Sequence, residues 1–285
     1  ASMKWFRFEQ DGRARIGVEE AGHRYDVTPQ VYTDSLLEVI VRGFEMDVDL
    51  DVAPRLTDHV RLLAPYLPPR NVICVGKNYA DHIKEMDTAG AGKFVLFTKA
   101  PSSIVGPFDP IERHADLTQQ LDYEGELAII IGTTGRDLTP ENALEHVFGY
   151  SIINDVTARD LQKEHVQFFR GKSLDGFCPF GPVIVTEDAF DPADVLVETR
   201  VNGELRQSGS TKLMLRDVVT ILTEVSRGMT LEAGDVIATG TPAGVGHGMK
   251  PPVYLQDGDV IDVSIEGIGH LQNQVKARRH HHHHH

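Results

Sequence analysis

Cysteine is nearly missing: among 285 residues only Cys74 and Cys178 occur, one inside "NVICVG" and the other inside "DGFCPFGP". Two scattered thiols exclude a disulfide framework and a thiolate metal site, so both read as packing residues. Positive charge is also scarce. Against 42 acidic side chains stand 28 lysines and arginines, a formal charge of −14, whereas a general phosphate-backbone binder carries clustered cations to displace counterions. Nucleic acid is therefore not an expected partner, although a few residues can still build a local positive pocket for an anionic substrate. No apolar run reaches the roughly 18 residues of a membrane-spanning helix and no secretory leader is visible, so no membrane partner and a cytoplasmic location are expected. Regular strand–helix alternation, the mark of a doubly wound sheet, is missing too, as is any internal repeat.

What remains is an ordinary globular composition, 41% hydrophobic, enough to bury a substantial core. Ala1-Ser2 reads as a cloning remnant and His280 to His285 as an affinity tag, which leaves eight histidines to weigh. The opening "MKWFRFEQDGRARIGVEE" alternates apolar and polar residues about Asp11-Gly12 and predicts a hairpin, with "HRYDV" as a third short strand. "DSLLEVIVRG" predicts a helix capped by Asp34 or Ser35 and ended by Gly43. The prolines of "APYLPPR" then interrupt any regular element, and we set the boundary there: a small N-terminal module over 3–68, a main domain over 69–279 and the tag over 280–285.

Beyond the boundary short strand-like runs dominate: "NVICVG", "FVLFTK", "GELAIIIG", "FGYSIIND", "GPVIVTE", "VLVETRVNG", "DVIATG" and "DVIDVSIEGIGHLQNQV". The best helices are the stretch after Asp155 and "LRDVVTILTEVSRG". The fold class is therefore mixed α/β and β-rich.

One of these runs carries acids. In "LDYEGELAIII", Asp122, Glu124 and Glu126 share one face of an extended strand with Ala128 and Ile130. Burying unpaired carboxylates side by side costs several kcal/mol, so either water solvates them at an exposed strand end or a hard divalent cation answers them. Asp155 in "GYSIINDVTARDLQ" is a possible further ligand, and equally a helix cap.

In the order "VICVGKNYADHIKEM", "DYEGELAIIIG", "YSIINDVTARDLQ", "GKSLDGFCPFGP" and "IATGTPAGVGHGMKPPVYLQDGD", the chain resembles the fumarylacetoacetate hydrolase family over about residues 70 to 276. The resemblance implies a mixed β-sandwich roll, a homodimer, and Mg²⁺ or Mn²⁺ held by Glu124, Glu126 and Asp155. It leaves Asp122 beside the ligand set or at the surface. It makes His82 a general base and Glu85, one helical turn on, the partner that orients it. It aims Lys172 at the negative charge that develops on the substrate, gives Thr241 to the substrate carboxylate, and makes Arg159 and Gln162 further polar contacts. His247 receives no role. Two other patterns fail: "GKS" lacks the P-loop glycine, since position 166 is Val, and Gly244, Gly246 and Gly248 do not spell a dinucleotide fingerprint.

A 2-oxo acid chelates one cation through its carboxylate and oxo oxygens, and an enolate forms next to them. The expected reaction is hydrolysis of a C–C bond in a 2,4-dioxo acid such as an acylpyruvate, releasing pyruvate through its enolate. Oxaloacetate decarboxylation, and isomerisation or hydration of unsaturated 2-oxo acids, share that enolate and stand as alternatives. A non-catalytic 2-oxo acid binding protein would need the carboxylates but not His82, Glu85 and Lys172.

Overall fold

The computed structural model describes residues 3–43, 47–57, 59–85 and 94–278, without the side chains of 83–85. The hairpin forms where the sequence placed it: Lys4–Gln10 pairs with Arg13–Glu20, and Asp11 and Gly12 both take positive φ, 52° and 75°. That left-handed pair matches the twist of the two strands. His23–Asp26 adds a third strand. The helix Leu36–Arg42 is capped by Ser35, not Asp34: the Ser35 side chain accepts the Glu38 N–H, and Gly43 at φ 64° ends the helix. Among the described residues no helix is long and apolar enough to cross a membrane.

Lys4–Gln10 also pairs with Cys178–Thr186, through Lys4 with Val185 and Trp5 with Ile184. The N-terminal strands thereby extend one large mixed sheet. From that junction it continues through Val147–Asn154, Gly125–Ile131, Val236–Ala238, Val72–Gly76 and Val95–Lys99. A second sheet of five strands contains Glu204–Ser210, Leu196–Val201, Val260–Ile265, Gly269–Lys276 and Ile111–Glu112. The long run "DVIDVSIEGIGHLQNQV" is thus a hairpin of two strands, not one, because Gly267 at φ 82° turns the chain back.

Every residue of Gly125–Ile131 is buried. The reason is cover on both faces. Leu127, Ile129 and Ile131 cluster with Val197, Ile261 and Val263 of the second sheet, whereas Ala128 and Ile130 cluster with Val27, Val31, Leu36 and Ile40 of the N-terminal segment. A strand covered twice must be apolar on both faces, which is why it reads as a run rather than an alternation. Each such Ile or Leu contributes about 1.5–3 kcal/mol relative to exposure. Gly125 lets the two sheets approach closely, since a Cβ there would meet Thr199 Oγ1 at 2.5 Å and Val263 Cγ1 at 2.8 Å.

Candidate active site

The register of two strands assembles the acids. Gly125 pairs with Asn154, which sets Glu124 beside Asp155: Asp155 N donates to the Glu124 carbonyl at 2.8 Å, and Glu124 N donates to Asn154 Oδ1 at 3.0 Å. Glu126, two residues along the strand, returns to the side of Glu124. Each of Glu124, Glu126 and Asp155 offers a carboxylate oxygen within 4.8 Å of the others, and all three are buried. The solvated strand end is excluded. So is the capping role for Asp155, because the helix Arg159–Glu164 starts from Ala158 with no side-chain cap.

Buried cations answer part of this charge. Lys99 Nζ lies 2.6 Å from Asp155 Oδ1 and 3.0 Å from the Val156 carbonyl. Lys172 Nζ donates to Asp155 Oδ2 at 2.9 Å, Thr157 Oγ1 at 2.8 Å and Glu124 Oε1 at 3.4 Å. Arg159 Nη2 lies 2.9 Å from Glu124 Oε2. Burial opposes ionisation of Asp155, but Lys172 and Lys99 outweigh it and hold the carboxyl below the usual aspartate range. Burial likewise opposes the charge on Lys172, and Asp155 and Glu124 overcome it, so the ammonium titrates above the ordinary lysine value. Glu126 differs. Burial, then Asp155 and Glu124, push its carboxyl well above the usual range although it accepts the Gly240 N–H at 2.8 Å. The cluster still lacks positive charge there, and three hard oxygen donors converging on one point suit a divalent cation of the Mg²⁺ or Mn²⁺ kind.

Glu124 and Lys172 open onto a cleft that His82, Arg159, Gln162 and Thr241 also line. The structure therefore brings six of the nine predicted site residues to one surface, with Glu126 and Asp155 joined to it through the acid cluster. The ninth, Glu85, ends the helix Ala80–Glu85, and its side chain lies outside the described residues. Thr241 Oγ1 donates to the Gly125 carbonyl at 2.8 Å and accepts Gln207 Nε2 at 2.8 Å, so its hydroxyl hydrogen is spent on the strand that carries the glutamates. Val75, Phe97 and Phe168 form an apolar wall; the two rings meet edge-on at 5.2 Å, and Lys172 Nζ sits 4.8 Å from the centre of the Phe97 ring.

Asp122 is not at the surface. It is wholly buried, and its carboxylate receives Arg159 Nε at 3.1 Å and backbone N–H groups from Gly246 and His247. His247 is tied down by that bond and by its Nδ1 contact to Tyr254 Oη at 2.7 Å. Lys99, Phe97 and Phe168 escaped the sequence reading. A signal existed for the first two: in "FVLFTK" they stand two apart, hence on one strand face, and a lysine ending an apolar strand invites a buried partner. The thiols are packing groups as expected, both buried, with burial raising Cys74 well above the usual range and pushing Cys178 up to about 12.

Residues 71–276 match the family described as Fumarylacetoacetate (FAA) hydrolase C-terminal. The chain is 53% identical over 220 residues to the oxaloacetate tautomerase YisK of Bacillus subtilis, covering 76% of this chain and 73% of that one. Among solved structures it is similar to a 5-carboxymethyl-2-hydroxymuconate delta-isomerase from Mycobacterium smegmatis, at 37% identity and TM-score 0.81 over 97% of this chain and all of that one. A maleylpyruvate hydrolase from Sphingobium sp. SYK-6 is similar at 32% identity and TM-score 0.81, over 97% and 100% of the two chains. The chain belongs to the fumarylacetoacetate hydrolase family.

Proposed function

We propose that this chain is a divalent-cation-dependent enzyme of 2-oxo acids whose reaction is proton transfer next to the oxo group, the keto–enol tautomerisation of oxaloacetate. The observation that carries this reading is the convergence of Glu124, Lys172 and His82 on one cleft, with Glu126 and Asp155 completing the acid cluster. Glu124, Glu126 and Asp155 would hold Mg²⁺ or Mn²⁺, which when bound would supply Lewis-acid chemistry at the oxo group.

The remaining work falls to side chains. Lys172, kept charged by Asp155 and Glu124, stabilises the negative charge that grows on the oxo oxygen. His82 takes the C3 proton of the keto form and delivers it to the oxo oxygen to give the enol, and the reverse transfer carries it from the enol oxygen back to C3. Arg159 and Gln162 orient a substrate carboxylate, with Thr241 keeping the glutamate strand against the cleft. Phe97 and Phe168 exclude water from one side. Identity of 53% to an oxaloacetate tautomerase supports tautomerisation over the C–C hydrolysis that the sequence put first.

Hydrolysis of 2,4-dioxo acids is the second reading. It is favoured by His82 in the cleft, with Glu85 one turn along the same helix, and by similarity to a maleylpyruvate hydrolase. There His82 would activate water instead of moving the C3 proton. Decarboxylation of oxaloacetate passes through the same enolate, and a homodimer belongs to the same proposal. The test follows loss of the enol form of oxaloacetate by ultraviolet absorbance, and pyruvate release from oxaloacetate and from an acylpyruvate, each with Mg²⁺, Mn²⁺ or chelator. Cation-dependent enol loss without pyruvate release is the expected result. Pyruvate release from the acylpyruvate alone selects hydrolysis, and no cation-dependent turnover of either substrate refutes both readings.

A further inference from the structure

Asp122 shares its two carboxylate oxygens among four donors. Oδ1 accepts the N–H groups of Tyr123 at 2.9 Å and Gly246 at 2.8 Å, and Oδ2 accepts the His247 N–H at 2.9 Å and Arg159 Nε at 3.1 Å. The other end of the guanidinium points elsewhere: Nη2 lies 2.9 Å from Glu124 Oε2, and Nη1 donates to Gln162 Oε1 at 3.3 Å. Arg159 lines the cleft and Asp122 does not.

We propose that Asp122 is a positioning residue that aims the Arg159 fork at Glu124 and the cleft, and fastens the Gly246–His247 backbone to the same guanidinium. The inference rests on the acid cluster being a divalent-cation site. Its physical basis is the rigidity of the fork. With Nε held from one side, both terminal nitrogens are directed to the other, so a single carboxylate sets the orientation of five N–H donors. The sharing also divides the charge. Asp122 takes part of the Arg159 charge, which leaves Glu124 less tightly bound to the guanidinium and more available to a cation.

An amide cannot do this. Asn at position 122 presents one oxygen and one NH₂, so the N–H groups on one side would face another donor in a dry environment. The guanidinium would then lean wholly on Glu124 and compete with the cation for it.

The test uses the full chain with Asp122→Asn, titrated first with Mn²⁺ and then, Mn²⁺-loaded, with oxalate, a planar dianion shaped like the enolate of a 2-oxo acid. Calorimetry should show both affinities reduced about 10–100-fold, with cooperative unfolding retained and amide exchange at Gly246 and His247 accelerated. Unchanged affinities overturn the inference, and so does faster exchange with unchanged affinities, which is what a merely structural carboxylate would give. If Asp122→Asn does not fold, Arg159→Lys carries the test, since it keeps the charge and loses the fork. That variant should lose about 10–100-fold in oxalate affinity while Gly246 and His247 stay protected; unchanged oxalate affinity overturns the proposal. A wild-type chain that binds no Mn²⁺ refutes the cation site itself, whereas normal wild-type binding left unaltered by Asp122→Asn refutes only the role of Asp122.

Discussion

Lys99 Nζ and Asp155 Oδ1 meet at 2.6 Å, both side chains wholly removed from water. They come from an outer strand and from the end of a central strand, 56 residues apart. The pair holds one acid of the cluster in place before any cation arrives, and it makes a clear prediction. Removing Lys99 leaves buried Asp155 to Lys172 alone, in a cluster already short of positive charge, so Lys99→Met should cost up to about 3–5 kcal/mol of stability. Urea unfolding measures this; a loss below about 1 kcal/mol, the value of an exposed pair, would show that Asp155 does not need Lys99.

The acid cluster should respond to cations as a folding ligand. Addition of Mn²⁺ at about 100 times its Kd should stabilise the chain by about 2.7 kcal/mol, seen as a rise in Tm that chelator reverses. Glu124→Gln keeps the shape of the side chain and removes its charge, and it should abolish both the Mn²⁺-dependent rise and turnover. A variant that still binds Mn²⁺ normally would show that Glu124 is not a ligand.

His82 belongs to the cleft but not to the acid cluster. His82→Ala should therefore slow oxaloacetate tautomerisation by about 10²–10⁴-fold, the usual contribution of a general acid–base group, while Mn²⁺ affinity stays at the wild-type value. Equal activity with and without the imidazole would remove His82 from the mechanism.

Gly125 permits the two sheets to touch next to Glu124 and Glu126. Gly125→Ala forces its methyl into Thr199 and Val263, at a cost of about 1–3 kcal/mol for overpacking. Because the displaced strand carries both glutamates, Mn²⁺ affinity should fall along with stability; loss of stability alone would mean that the cluster tolerates the shift.

Much of this was legible in the sequence because it depends on local rules. Period-two alternation put Glu124 and Glu126 on one side of a strand, and the structure keeps them there. Asp11-Gly12 specified its turn, and Ser35 with Gly43 bounded a helix, through backbone preferences that need no tertiary partner. The motif order pointed to the family, which residues 71–276 match.

Local rules could not say which acids are buried and what neutralises them. Asp122 shares the strand pattern of Glu124 and Glu126, yet it binds Arg159 and a loop more than a hundred positions away, while Asp155 leans on two lysines. Charge compensation in a dry interior acts over a few ångströms of space, whatever the distance along the chain. The sequence by itself therefore determined the strand that presents Glu124 and Glu126. Family resemblance names Asp155 beside them, and only the tertiary structure decided that Lys99 and Lys172 hold it and that Asp122 serves Arg159, because strand register and sheet packing bring those groups within contact.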